Sequence, residues 1–171
     1  MDETAIWADM PGLTTIAPIG TKSVPLLTTG HEKLRISVCY TALADGKKLP
    51  PLVVFKGKHM PLELQTIPDI VVIMTDNGWM NQESTLVYLN KVWDNFAVER
   101  RMLVWDSFRA YITEATKQAL RAKNTFMSTI PAGCTKDIQP VDVSWNAPFK
   151  TAIRTLYDQW LAFTMRDTTK S

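Results

Sequence analysis

Cysteine is scarce in this chain: Cys39 and Cys134 stand far apart, outside any C-x-x-C or Cys/His spacing. That argues against a disulfide framework or a zinc site, and a reducing compartment is the expectation. Histidine is as sparse, with His31 and His59 lacking any partner at metal-ligand spacing. No Ser/His/Asp or Cys/His nucleophilic set stands out. No stretch approaches the ~20 apolar residues of a membrane span, and the acidic opening MDETAIWADM has no signal-peptide pattern. A soluble intracellular protein is therefore expected. Charge of one sign is missing too: 19 basic against 17 acidic residues leave a net charge of +2. That balance permits nucleic-acid binding without arguing for it. No internal repeat, low-complexity tract or basic targeting run is visible.

What is present is an ordinary globular composition, 46% hydrophobic and 21% charged, which speaks against disorder. At 171 residues the chain is expected to form one domain. Residues 2–9 alternate loosely, as a first strand stopped by Pro11-Gly12. Residues 22–30, KSVPLLTTG, read as an extended edge piece. Residues 34–46 form a strong strand pattern with Ile36, Val38 and Tyr40 on one face. Asp45-Gly46 is a hairpin turn signal, and LPPLVVFKGK follows as the partner strand. The first third thus predicts an antiparallel meander. Further on, residues 70–74 predict a short strand, and residues 81–97 carry apolar side chains at helical spacing. Met102, Leu103, Val104 and Trp105 predict a buried strand ending on Asp106. A helix over 113–122, a strand over 124–131 and a long amphipathic helix over 144–165 complete the order. Alternating strands and helices in the second half imply parallel pairing there. The expected fold is α/β, a mixed sheet flanked by helices.

Three carboxylates occupy distinctive places: Asp2 on the first strand, Asp106 at a strand end, and Asp142 just before the last helix. In a parallel sheet, strand C-termini and the following helix N-termini gather on one edge. Convergent carboxylates raise one another's pKa unless a cation neutralises them, and an oxygen-only set suits Mg2+ or Mn2+. Each residue also has a plainer reading: Asp2 as solvated terminus, Asp106 as a turn residue, Asp142 as a helix cap. The six tryptophans read as core.

The blocks MDET, TTGHEKLRISVCYTALADGKKLPPLVVFKGK, NGWMN, LVWDSFRAY and IPAGCTKDIQPVDVSWNAPFK resemble, in order, the catalytic domain of pogo/Tigger-type transposases. These belong to the DDE superfamily, with jerky-like and centromere-protein-B-like relatives. The resemblance runs from Asp2 to about Trp160 and implies a ribonuclease-H-like fold over residues 1–165, with 166–171 a frayed tail. It maps the family's metal-binding acids onto Asp2, Asp106 and Asp142. Asp2 would be a bridging ligand, Asp106 its partner on the neighbouring strand, and Asp142 would complete the shell of a second metal. It implies Mg2+ (or Mn2+)-dependent cutting of DNA ends and joining of the 3′ ends to a target, with no small-molecule substrate. DNA as partner, a homodimer and a nuclear location follow from the same resemblance. Lys56, Lys58, Arg109, Lys136 and Lys150 would contact phosphates. Three departures stand out. The family's upstream helix-turn-helix region is not expected within this chain. The connection between Trp93 and Met102 is short. And the LVWDSFRAY block ends in Tyr111 where the family has histidine, exchanging a neutral-pH proton carrier for a phenol. Two functions are therefore expected in competition: a metal-dependent DNA endonuclease and strand-transferase, or a catalytically silent relic that only binds DNA or protein.

Overall fold

Alternation and one tight turn build the first sheet: β1 (Asp2–Trp7), β2 (Arg35–Tyr40), β3 (Leu52–Lys56) and β4 (Val71–Thr75), in the order β1-β2-β3-β4. The structure, a computed structural model, describes residues 1–10, 16–24, 29–31, 33–94 and 99–168, with side chains described as far as residue 164. β1 and β2 run antiparallel from Asp2↔Tyr40 to Trp7↔Arg35. β2 and β3 form the expected hairpin, whose turn is closed by Lys47 N–H donating to Asp45 Oδ1 at 2.9 Å. β3 and β4 are parallel, connected through the short helix α1 (Leu62–Gln65).

Directly paired residues share a face, so Asp2, Thr4 and Ile6 stand with Tyr40, Val38 and Ile36, while Glu3 and Ala5 stand with Cys39 and Ser37. The Glu3 side packs into the main core. There Cys39, Leu52 and Val54 meet Tyr88, Leu89 and Val92 of α2 (Gln82–Tyr88) and the π-helical turn Leu89–Trp93 that extends it. Asn81 starts α2 with a reciprocal capping box to Ser84. The wider turn brings Leu89, Val92 and Trp93 to the core together. Each large apolar side chain fully buried here contributes about 1.5–3 kcal/mol.

A second ladder, β5 (Arg101–Asp106) and β6 (Thr125–Ile130), is parallel and joined by α3 (Glu114–Ala122). Leu103 and Trp105 of β5 enter the same core. The parallel pairing expected in the second half is present, but in two ladders rather than one continuous sheet. Just before β1, the Met1 ammonium donates to the Val104 carbonyl of β5 at 2.8 Å.

After α4 (Thr135–Ile138), a π-helical turn Val141–Trp145 leads into α5 (Asn146–Thr168). Helical geometry thus begins earlier than expected and lasts longer. Residues 166–168 belong to this helix, and no proline after Pro148 interrupts it. Residues 169–171 lie outside the described residues. So do 25–28 of the expected edge strand, whose described flanks are not strand, and 95–98, which hold the end of the helix expected over 81–97 and part of the short connection. α5 covers the Asp2 side of the first sheet loosely. An apolar cleft of about 590 Å3 opens between Ile36, Val38 and Phe55 on the sheet and Phe149, Ile153 and Trp160 on the helix. The tryptophans are not all core: Trp93 and Trp105 are buried, but Trp7, Trp79 and Trp160 are exposed. Trp79 lies under the Arg35 guanidinium, 3.2 Å from the ring centroid.

Candidate metal centre

The cluster grows from Tyr40. Its ring meets Phe149 edge-on at 4.9 Å and Trp145 at 6.3 Å between centroids, pinning the start of α5 over the end of β2. Asp2 is the cross-strand partner of Tyr40 on that face, and Asp142 lies in the turn carrying Trp145. The clamp therefore sets Asp142 over Asp2, near enough for its charge to raise the Asp2 pKa. On β5, alternation sends Trp105 into the core and Asp106 to the opposite face. There Asp106 is near enough to act on Asp2 through space.

Asp2 is no solvated terminus: it is 7% exposed. Burial is the main reason its pKa rises from 3.8 to about 7, and the charges of Asp142 and Asp106 add to it. Its Oδ2 is buried and meets no hydrogen-bond donor. Two neighbours repeat the pattern. Gln139, 2% exposed, donates Nε2–H to the Met1 carbonyl at 3.1 Å, and its Oε1 stays unpaired. Asn146 donates Nδ2–H to Asp142 Oδ1 at 2.8 Å, and its Oδ1 is likewise buried without a partner. In both amides the acceptor partner fixes which atom is nitrogen, so the orphans are oxygens. Buried oxygens without partners, next to carboxylates, are the kind of ligand a hard divalent cation takes.

The carboxylates also hold local partners. Asp106 Oδ1 accepts the Phe108 N–H at 3.0 Å, the turn role weighed for it from sequence. Asp142 is not the helix cap, since Pro140 precedes the turn in that position. Among the described residues, no three His, Cys, Asp or Glu side chains close around a single point as a formed metal site.

The basic positions divide. Register places Lys56 four residues beyond Leu52, which is level with Glu3, so Lys56 and Lys58 lie about 13 Å or more along the sheet from Asp2. Arg109, Lys136 and Lys150 are exposed on the segments that carry Asp106 and Asp142. Lys48 was not singled out in the sequence, yet its Nζ lies 4.5 Å over the Trp145 ring beside the cluster. Tyr111 does not face the cluster: it is 2% exposed, stacked on Trp105 with ring centroids 4.7 Å apart, and donates its hydroxyl to Glu3.

A mixed α/β domain of this order, with aspartates gathered where β1, β5 and the start of α5 meet, is of the ribonuclease-H-like kind. The chain belongs to the DDE superfamily endonucleases, of the pogo type: the family described as DDE superfamily endonuclease matches residues 33–171. It is 33% identical over 165 residues to the human and the mouse "Pogo transposable element with KRAB domain", covering 94% of this chain and 27% of each relative. It is 32% identical over 127 residues to the human "Pogo transposable element with ZNF domain", covering 71% of this chain and 9% of that protein. The chain thus spans about a quarter or less of the length of these curated relatives. No solved structure matches it. Among the described residues no helix is long and apolar enough to cross a membrane.

Proposed function

We propose that residues 1–165 are a transposase-derived catalytic domain in which Asp2, Asp106 and Asp142 hold Mg2+ or Mn2+ for cutting DNA ends and joining their 3′ ends to a target. The observation that carries this reading is the buried Asp2 carboxyl, facing two further carboxylates with Oδ2 unpaired. Cations bound there supply charge for activating water or a 3′-hydroxyl and for the leaving oxygen. The chain's own part is positional. The Tyr40 clamp holds Asp142 over Asp2, β5 delivers Asp106, and Lys48, Arg109, Lys136 and Lys150 offer positive charge to a phosphate backbone. DNA as substrate places the protein in the nucleus, and work on two DNA ends calls for two copies.

A second reading, a catalytically silent module that binds DNA or protein, draws support from the turn contact of Asp106 and the absence of a closed ligand set among the described residues. One titration separates them. A cation at a hundred times its Kd adds about 2.7 kcal/mol, which raises Tm by roughly 8 °C in a chain of this size. The metal reading requires such a rise with millimolar Mg2+ or Mn2+, its loss in Asp106→Ala, and DNA nicking that depends on Asp142. An unchanged Tm at millimolar metal, with DNA binding retained, establishes the silent module instead.

A further inference from the structure

The Tyr111 hydroxyl donates to a Glu3 carboxylate oxygen across 108 positions of sequence. This bond joins β1, which carries Asp2, to the turn after β5, which carries Asp106. Asp106 Oδ1 holds the Phe108 N–H at 3.0 Å, and Tyr111 N–H donates to the Phe108 carbonyl at 3.0 Å. The Tyr111 ring lies on Trp105 at an interplanar angle of 16° and takes the Phe108 ring edge-on at 5.3 Å. Thr116 of α3 ties down the same turn through the Ala110 carbonyl at 3.3 Å. At the other end, the Met80 backbone N–H and the Arg35 charge both favour the ionised form of Glu3.

Glu3 is not placed to be a fourth ligand. Neighbours on a strand point to opposite faces, and Glu3 pairs with Cys39 on the core side while Asp2 pairs with Tyr40 under α5. We propose that the Glu3–Tyr111 hydrogen bond is a strut behind the two strands, setting the separation of Asp2 and Asp106 and hence the affinity of the cluster for a divalent cation. The inference rests on the metal reading above for its functional meaning. A phenylalanine would supply the stack on Trp105 equally well, so the hydroxyl distinguishes a strut from ordinary core packing.

The test uses the whole chain, with Mn2+ as probe and two readouts. Tyr111→Phe keeps the ring stack, and Glu3→Gln keeps an oxygen acceptor for the hydroxyl. Tyr111→Phe and Glu3→Ala should each weaken Mn2+ binding about tenfold, equivalent to about 1.4 kcal/mol. Their combination should weaken it no further, and Glu3→Gln should stay within about threefold of wild type. Without metal, Tyr111→Phe should speed amide hydrogen exchange across residues 107–111, while Glu3→Gln leaves it unchanged. If Glu3→Gln weakens Mn2+ binding as much as Glu3→Ala while Tyr111→Phe does not, Glu3 acts through charge and the strut is refuted. Unchanged Mn2+ affinity and unchanged exchange in Tyr111→Phe refute it as well. If the wild type takes up no Mn2+, the metal reading falls and the functional part of the strut with it, while the exchange arm still decides whether the bond holds the two segments together.

Discussion

Replacing Asp142 with asparagine should change how stability depends on pH, because Asp142 faces a carboxyl that folding holds far from its ordinary titration range. Asp2 titrates near 3.8 when unperturbed and at about 7 in the folded chain. Between those values the folded state keeps a proton that the unfolded state has released. Stability is therefore fullest below the unfolded value and falls as pH rises through the folded one. The whole span is worth about 4 kcal/mol, or roughly 10 °C in Tm for a chain of this length. Glu3 is shifted in the same sense by burial. The Met1 ammonium, pushed down by burial, acts oppositely below its ordinary value of 8, and Asp142 is not among the charges acting on it, so comparing wild type with Asp142→Asn from pH 4 to 7 isolates the carboxyl pair. Asp142→Asn removes the second-largest cause of the Asp2 shift and leaves burial, the largest, in place. The fall in stability across the window should shrink by on the order of 1 kcal/mol, the scale of one charge contact at a part-exposed site. Thermal melts at half-unit pH steps would show it, and Mg2+ should flatten the wild-type fall by displacing the proton. A wild-type Tm that is flat from pH 4 to 7, or one that falls identically in Asp142→Asn, would refute the argument that these carboxyls face each other.

Two further outcomes test the scaffold. Asn81→Ala removes the side-chain half of the capping box at the start of α2, the acceptor of the Ser84 N–H, and should cost about 1 kcal/mol, read by urea denaturation with an unchanged m-value. Gly78→Ala should cost more than about 1 kcal/mol. Its φ is +76° and an added Cβ would meet the Arg35 carbonyl at 2.9 Å, with loss of the Arg35–Trp79 stack visible as a change in tryptophan emission.

Much of this fold can be read locally. The period-two pattern of Ile36, Val38 and Tyr40 gives the face that α5 covers, and Asp45-Gly46 gives the hairpin. Asp106 ends its strand as its apolar run predicts. The features that escape such reading are those fixed by contacts across the chain. A second residue looks solvated until Tyr40, Trp145 and Phe149 close over it. Glu3 carries no signal that its partner is Tyr111, and Lys48 none that it stands over Trp145. Lys56 and Lys58 look like phosphate contacts by charge alone, and only the strand register separates them from the carboxylates. Tyr111 looks like a lost proton carrier until its ring is found lying on Trp105.

The break between the two ladders gives the carboxylates separate carriers. Asp2 rides on the four-stranded sheet, Asp106 on the two-stranded one, and Asp142 on the turn that opens α5. Among the described residues, side-chain bonds such as Glu3–Tyr111 and Gln139–Met1 help join these supports, beside the Met1–Val104 bond. An ion shared among them would rivet three pieces of scaffold together, and its departure would let each breathe on its own. Metal occupancy would then be felt well beyond the carboxylates, as slower opening of both ladders at once.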